Sequence, residues 1–329
     1  MQLANIGISM KAMLFYEYGN PNVLQLREVE RPSLQANHVL IKVHSASINT
    51  LDWNQMTGPI MIRMLNGALH KPKINSLGLD LAGWVEAVGP QVTKFKPGDA
   101  VFGTAQGSLA EYVCATEDQL VLKPANVAFE AAAATPVAAF TAIYALSDLG
   151  KIQAGQRVLI NGASGAVGSF AIQIAKAYGA EVTAVCSSRN ADIAQASGAS
   201  HWIDYSREDL RQHRQRYDLI LGVNGYQSIF TYRKALTPTG RYIAIGGALP
   251  QILQAVALGR ILSLGTSKTL QFLGVAPIRH TTLLKLQQLL ESGQLKPVID
   301  RCYRLPEAAE ALRYLGAGHA QGKIVINVL

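Results

Sequence analysis

The chain has 329 residues, 49% of them hydrophobic and 16% charged, with 29 Gly and 13 Pro. That length and apolar fraction support one large or two ordinary domains with buried cores, and exclude a chain kept unfolded by charge repulsion. The 30 Lys and Arg exceed the 22 Asp and Glu by eight, and Cys114, Cys186 and Cys302 lie too far apart for a disulfide framework or a Cys-x-x-Cys metal knuckle.

Such cysteine usage fits a reducing compartment. No apolar run reaches the roughly 18–20 residues of a membrane span, and residues 1–9 lack the basic start of a signal peptide. A soluble, cytoplasmic protein with no integral membrane segment is expected. The densest basic cluster, Arg207, Arg211, His213, Arg214 and Arg216, is interrupted by Glu208 and Asp209 and reads as an exposed helical face. It has no aromatic platforms and no nucleic-acid-reading motif, so an anionic small ligand explains local positive charge better than nucleic acid does.

From Lys11 to about Leu122 short alternating stretches are broken by Gly, Pro and Asn. Between His38 and His44, Val39, Ile41 and Val43 alternate with Leu40, Lys42 and His44, which is strand periodicity. Residues 82–88, 100–102, 109–114 and 119–122 are further short strands, and together they predict a compact barrel.

From about Ala131 to Leu270 the pattern becomes apolar strand, glycine turn and amphipathic helix. Strands are expected at 157–161, 182–186, 219–221 and 242–245. Val167, Phe170, Ala171, Ile174, Ala175 and Tyr178 form one helical stripe after the first of these. Short apolar strands separated by helices predict a parallel sheet covered on both faces. Helices at 281–292 and 306–314 and a strand at 323–328 follow, an ending able to rejoin the first domain. The expected α/β organisation is a first domain over 10–130, a nucleotide domain over 131–273, and a return over 274–329.

The strongest local signal is Arg157-Val-Leu-Ile-Asn-Gly-Ala-Ser-Gly-Ala-Val-Gly168. A buried strand enters a turn carrying Gly162, Ser164 and Gly165, and a helix starts at Ala166, Val167 and Gly168. The glycines permit close approach of a pyrophosphate, which the unpaired N–H groups and dipole of the helix start attract. Ala163 stands where the first glycine of G-x-G-x-x-G would be. About 20 residues on, Cys186-Ser-Ser-Arg-Asn190 holds no acid to receive a ribose 2′-OH. Ser187, Ser188 and Arg189 can instead donate to a 2′-phosphate, which favours NADPH; the alternative is a solvated turn that happens to hold an arginine.

These residues resemble the zinc-independent branch of the medium-chain dehydrogenase/reductase superfamily, in the quinone oxidoreductase and enoyl reductase group. The resemblance runs from Met10-Lys-Ala-Met-Leu, which makes residues 1–9 an extension or a misplaced start. It continues through Ile48-Asn49-Thr-Leu-Asp52, Gly78-Leu-Asp80-Leu-Ala-Gly83 and Phe95-Lys-Pro-Gly98-Asp99. Ala110-Glu111-Tyr112-Val113, Pro136-Val-Ala-Ala-Phe-Thr141 and His319-Ala-Gln-Gly322-Lys323 complete the series.

The resemblance implies a GroES-like β-barrel catalytic domain and a Rossmann doubly wound sheet, with NADPH in the cleft between them. It places Gly165 and Gly168 at the pyrophosphate, and Tyr205 and Lys176 at the 2′-phosphate, although Lys176 reads equally well as a solvated helix face. Thr141 falls at the nicotinamide end, Gly246 near the ribose, and Phe272 and Val275 along the nicotinamide pocket. Zinc is not expected: Asn49 lies near the first ligand position and Gly78-Leu79-Asp80 replaces Gly-His-Glu. Asn54 and Met56 stand where similar proteins often carry charged or phenolic groups.

The implied activity is hydride transfer from NADPH to a quinone or α,β-unsaturated carbonyl without metal. Asn49 is the candidate donor to the acceptor oxygen or the ribose, and Asp52 its support. A regulatory NADPH-binding protein with little turnover is the alternative. The sequence leaves room for a homodimer and for peripheral association with membranes.

Overall fold

The computed structural model describes residues 9–65, 68–318 and 320–329; residues 1–8 and His319 of the family-like segments lie outside them. Two compact units form. Of the described residues, those up to 137, 278–291 and those from 299 on form the first, and 138–277 and 292–298 the second.

The first unit opens with strands β1 (Ser9–Leu14), β2 (Gln25–Glu30) and β3 (His38–Ile48), then helices α1 (Thr50–Thr57) and α2 (Ile60–Leu65). Strands β4 (Asp80–Val88), β5 (Ala100–Thr104), β6 (Tyr112–Thr116) and β7 (Leu120–Leu122) follow, with helix α3 (Phe129–Ala133). Helix α4 (Pro136–Ile143) leads into the second unit. That unit holds β8 (Arg157–Asn161), α5 (Ala166–Ala177), β9 (Glu181–Cys186), α6 (Ala191–Ala196) and β10 (His201–Asp204). It continues with β11 (Tyr217–Gly222), α7 (Ile229–Ala235), β12 (Leu236–Ala244), α8 (Leu249–Ser263) and β13 (Thr269–Phe272). Helix α9 (His280–Glu291), β14 (Ile299–Arg304), α10 (Ala308–Gly316) and β15 (Lys323–Asn327) return to the first unit.

In the first unit a seven-stranded sheet runs β14-β15-β3-β4-β5-β7, with β6 also on β3. Strand β3 sends Val39, Ile41 and Val43 inward, all fully buried, to pack with Leu81, Val101, Ile324 and Ile326. Ala308, Ala311 and Leu312 of α10 close the same core. Each large aliphatic side chain buried there contributes about 1.5–3 kcal/mol.

The second unit is a six-stranded parallel sheet in the order β10-β9-β8-β11-β12-β13. The chain starts at the centre in β8, winds outward through β9 and β10, then returns to β11 and winds outward the other way. Val158, Leu159 and Ile160 are successive and all fully buried, so both faces of β8 are covered.

Local periodicity missed β10, β13, β14 and α8, whose letters mix polar and apolar residues. The basic cluster at 207–216 is not a helical face. It contains one 3-10 turn, Leu210–Gln212, and its His213 is buried, with Nδ1 2.9 Å from the Tyr217 hydroxyl and Nε2 2.7 Å from Glu208 Oε1. The partners of His213 draw that segment inward, which no helical repeat records.

Candidate active site

The carboxyl ends of the second unit's strands fall on one line. Asn161 pairs in register with Val185 on one side and Gly222 on the other, Gly222 with Ala244, and Ala244 with Phe272. Gly162, Ser187 and Gly246 therefore all sit just beyond one sheet edge. At about 4.8 Å per strand, that edge runs about 14 Å from the β8 turn to Phe272. The winding direction reverses between β8 and β11, the place where open α/β sheets bind ligands.

Gly162 has φ +86°, and a Cβ there would meet Asn224 N at 2.6 Å, so the turn requires glycine. A Cβ on Gly168 would lie 2.2 Å from the Gly162 carbonyl oxygen; α5 is pressed against the turn that precedes it. Gly165 differs. It is the extended N-cap of α5, no side chain caps the helix, and a Cβ would find its nearest neighbour 3.6 Å away. The N–H groups starting with Ala166, Val167 and Gly168 thus face open space at the positive end of a 12-residue helix. That cradle fits a diphosphate.

Beside it, Asn190 Nδ2 donates to Ser164 Oγ over 2.9 Å and ties the glycine turn to the turn after β9. Ser187 there is half-buried, while Ser188 and Arg189 are exposed. Asn190 was missed as a site residue because its role is to brace the turn. Asp204 was missed for another reason: β10 pairs with β9 so that Asp204 stands opposite Cys186, which brings an acid beside a turn whose own sequence has none. Ser206 donates to Asp204 from its hydroxyl and its backbone N–H; these bonds, with a smaller one from Ser188, hold the carboxyl below its ordinary pKa. Tyr205 follows on the surface, 62% exposed.

Gly246 lies past β12, its N–H directed to the Gly222 carbonyl and its carbonyl accepting from Gln251 Nε2. Phe272 ends β13 half-buried, Val275 is exposed, and Thr141 lies half-buried on α4. Lys176 is displaced from the phosphate turn. It occupies the last turn of α5, opposite the end that Gly165 begins, with its side chain along Gly198.

In the first unit Asn49 and Asp52 belong to a buried polar network. Asp80 Oδ2 accepts from Ser47 Oγ at 2.8 Å, Asn49 Nδ2 at 3.0 Å and Lys323 Nζ at 3.0 Å, and its Oδ1 accepts from Val137 N at 2.8 Å. Lys323 Nζ also donates to Asn49 Oδ1 at 2.6 Å and to the Ile48 carbonyl at 3.4 Å. The amide carbonyl of Asn49 is thereby engaged, and among the described residues one Nδ2 hydrogen stays uncommitted. Asp52 touches backbone only: its Oδ2 accepts from Asn49 N and its Oδ1 from Gly78 N, each at 2.7 Å. Burial pushes Asp52 up to about 6 against the pull of those two N–H groups; nearby Asp80 raises it further and Lys323 lowers it.

Sequence reasoning set Asp80 and Lys323 in family-like segments but gave neither a role in the site. They stand 243 positions apart, and only the strand order brings them together. Met56 is fully buried in the core, so the position of the missing charged contributor serves packing here. In the two segments where the resemblance looks for zinc ligands, Leu79 stands at the histidine position, and Asn49 and Asp80 both accept from the Lys323 ammonium group. Among the described residues no three His, Cys, Asp or Glu side chains form a ligand cluster.

Comparison with known proteins places this architecture. Residues 35–125 match the alcohol dehydrogenase GroES-like domain, and residues 197–326 match the zinc-binding dehydrogenase family. The chain is 32% identical to the NADPH-dependent alkenal/one oxidoreductase, chloroplastic, of Arabidopsis thaliana, over 98% of this chain and 81% of that protein. The quinone oxidoreductase of Coxiella burnetii superposes with a TM-score of 0.86 at 30% identity, covering 98% of this chain and all of that one. That of Escherichia coli, solved with NADPH, gives a TM-score of 0.81 at 25% identity over 97% of this chain and all of that one. With a GroES-like unit, a doubly wound sheet and these relatives, the chain belongs to the medium-chain dehydrogenase/reductase superfamily, in its zinc-independent quinone oxidoreductase group.

Proposed function

We propose that this enzyme transfers hydride from NADPH to quinones or α,β-unsaturated carbonyls. The observation that carries the reading is the uncapped, open start of α5 beside Ser187, Ser188 and Arg189. Bound there, the nicotinamide cofactor supplies the hydride. The chain's residues hold and orient. Gly162, Ser164, Gly165, Ala166, Val167 and Gly168 seat the diphosphate, while Ser187, Ser188, Arg189 and Tyr205 meet the 2′-phosphate. Gly246, Phe272, Val275 and Thr141 serve the nicotinamide end.

Asn49 offers its remaining Nδ2 hydrogen to the acceptor oxygen or the ribose. Lys323 and Asp80 fix the plane of that amide, so the donor is oriented before any ligand arrives. Asp52 positions Asn49 through its backbone N–H. The names of the similar proteins support both acceptor classes, and the cysteine usage supports a reducing compartment.

NADPH oxidation measured against a panel of quinones and enones, with protein dialysed against a strong chelator, tests the reading. Turnover with at least one acceptor class is expected, undiminished by the chelator. Tight NADPH binding without turnover on any acceptor would make the protein a regulator. Loss of turnover on chelation, restored by zinc, would overturn the metal-free chemistry.

A further inference from the structure

Helix α8 is apolar on two sides, which is unusual for a helix on a water-soluble surface: Leu258 and Leu262 pack half-buried against the core, and a second apolar face points outward. The residues it buries are small or polar: Gln251, Ala255 and Gly259, spaced by four. Gln251 is spent on the Gly246 carbonyl and the Gln227 N–H. At Gly259 a Cβ would meet the Leu270 carbonyl oxygen at 2.6 Å, so the helix lies directly against β13. The residues it exposes are large and apolar. Leu249, Leu253 and Val256 are 58%, 52% and 58% exposed, and Leu264, just past the helix, is 71% exposed. At 100° per residue these four fall within one arc of the helix, with Arg260 among them. A surface helix normally turns its apolar stripe inward, and a contiguous apolar face left outside marks a contact.

The stretch of chain that carries this face has charge of one sign. From Leu219 to Pro277 there is no Asp or Glu, while Arg233, Lys234, Arg241, Arg260 and Lys268 supply five positive charges. Several gather at the C-terminal end of α8. Arg233 Nε reaches the Leu262 carbonyl, Lys268 Nζ donates to the carbonyls of Arg233 and Leu236, and Lys234 and Arg260 are exposed. A second copy of this chain docked face to face would set these charges against their own likeness. An anionic surface with an apolar interior would satisfy both features at once.

We propose that α8 is a membrane-docking helix that lies in the interface of an anionic lipid bilayer, with Leu249, Leu253, Val256 and Leu264 among the acyl chains. Arg260 and the basic residues at the end of the helix meet the headgroups. An interfacial helix of this kind carries apolar residues on one side and Lys or Arg at its margin, and its binding combines apolar burial with attraction to anionic lipid. No helix among the described residues is long and apolar enough to cross a membrane, so the contact is one of surface attachment.

Cosedimentation of the full chain with two kinds of vesicle tests this: phosphatidylcholine alone, and phosphatidylcholine with about one part in four phosphatidylglycerol. Binding is expected to the anionic vesicles, to fall as salt is raised, and to be weak on the neutral ones. The Leu253→Glu/Val256→Glu variant should bind about 10-fold or more weakly while keeping the native circular dichroism and NADPH affinity. Should that variant fail to fold, Leu253→Trp replaces it, with a blue shift of its added emission expected on anionic vesicles only. Three outcomes overturn the proposal. They are no binding to anionic vesicles, undiminished binding by the glutamate variant or an unshifted tryptophan, and a wild-type dimer that the glutamate variant splits, which would make the face an interface between copies.

Discussion

Lys323 Nζ lies 3.0 Å from Asp80 Oδ2, with the two side chains 1% and 0% exposed. Their strands, β15 and β4, do not pair with each other; each borders β3 on its own side. The ion pair therefore bridges across β3, close to where that strand ends at Ile48 and the chain turns into α1. Desolvating two charges is costly unless every donor and acceptor is met. Here the three acceptors around the ammonium match its three hydrogens, and four donors converge on the carboxylate.

Removing one partner should therefore cost more than an ordinary substitution. Lys323→Met leaves a buried carboxylate uncompensated, and a loss of about 3–5 kcal/mol is expected. Asp80→Asn keeps the shape and an acceptor and should also lose stability, with the ammonium left unpaired. Urea denaturation at neutral pH gives both values. A Lys323→Met protein as stable as the parent would mean that water reaches Asp80.

Asp52 should make stability depend on pH. Burial raises its pKa from 3.8 to about 6, so the folded protein binds this proton more tightly than the unfolded chain does. The contribution is complete below the unfolded value and is lost as pH rises through about 6. On this group alone, stability at pH 7 should lie below that at pH 4 by on the order of 3 kcal/mol. Asp52→Asn should flatten that slope. It should also lower stability at neutral pH, because Asn49 N and Gly78 N donate to different carboxylate oxygens and the amide NH2 would face one of those donors. Denaturation curves at pH 5 and 7 (about one unit either side of the transition) check it; the same pH dependence in parent and variant would refute the assignment.

The glycines of the α5 turn should separate by function. At Gly165 an added methyl group meets nothing closer than 3.6 Å and the backbone is extended, so Gly165→Ala should fold with unchanged stability yet weaken NADPH by filling the cradle. At Gly168 the same methyl would meet the Gly162 oxygen at 2.2 Å and force α5 from its turn, so Gly168→Ala should lose stability as well as affinity. Thermal melts beside cofactor titrations distinguish the two. Normal NADPH affinity in Gly165→Ala would place the diphosphate elsewhere.

Arg189→Ala should weaken NADPH by about 1.5–3 kcal/mol, the scale of a hydrogen bond to a charged group, and leave NADH nearly unchanged. Since Asp204 holds negative charge beside the same turn, Asp204→Asn should shift the balance the other way, toward tighter NADPH. Titration of both cofactors into each variant decides. Parallel losses of NADPH and NADH in Arg189→Ala would remove the 2′-phosphate from this turn.

What could be read from the letters depended on how local its cause was. Strand β8 was read at its full span because Val158, Leu159 and Ile160 are apolar on both sides and a glycine turn ends them at once. The α5 stripe was equally plain, since Phe170, Ala171, Ile174 and Ala175 all point inward. Strand β10 carries His201 and Asp204 among only four residues and owes its existence to its pairing with β9. Helix α8 shows no helical stripe, because apolar residues stand on its outward face as well as at Leu258 and Leu262 against the core. At the site, Asn49 and Asp52 were visible as a short motif, but the groups that hold Asn49 were not. Asp80 and Lys323 each lie in a family-like segment, but their pairing has no signature until strand order joins them, and Asn190 binds Ser164 across a gap that no spacing rule spans.

The position of β15 bears on how the protein comes into being. The second unit's sheet is drawn from one unbroken stretch of chain between Arg157 and Phe272, so it is ready to fold as soon as that stretch has left the ribosome. The first unit cannot finish, because β15 takes its place between β14 and β3 only after the last residues are made. Asp80 is synthesised 243 residues before the lysine that neutralises it, a wait of roughly 12–50 s at ordinary elongation rates. Throughout that interval the nascent barrel has an unguarded flank on β3 and a carboxylate that must stay hydrated. A stalled or prematurely terminated chain would thus carry a finished nucleotide fold joined to an unfinished catalytic one, a species suited to recognition by chaperones and proteases.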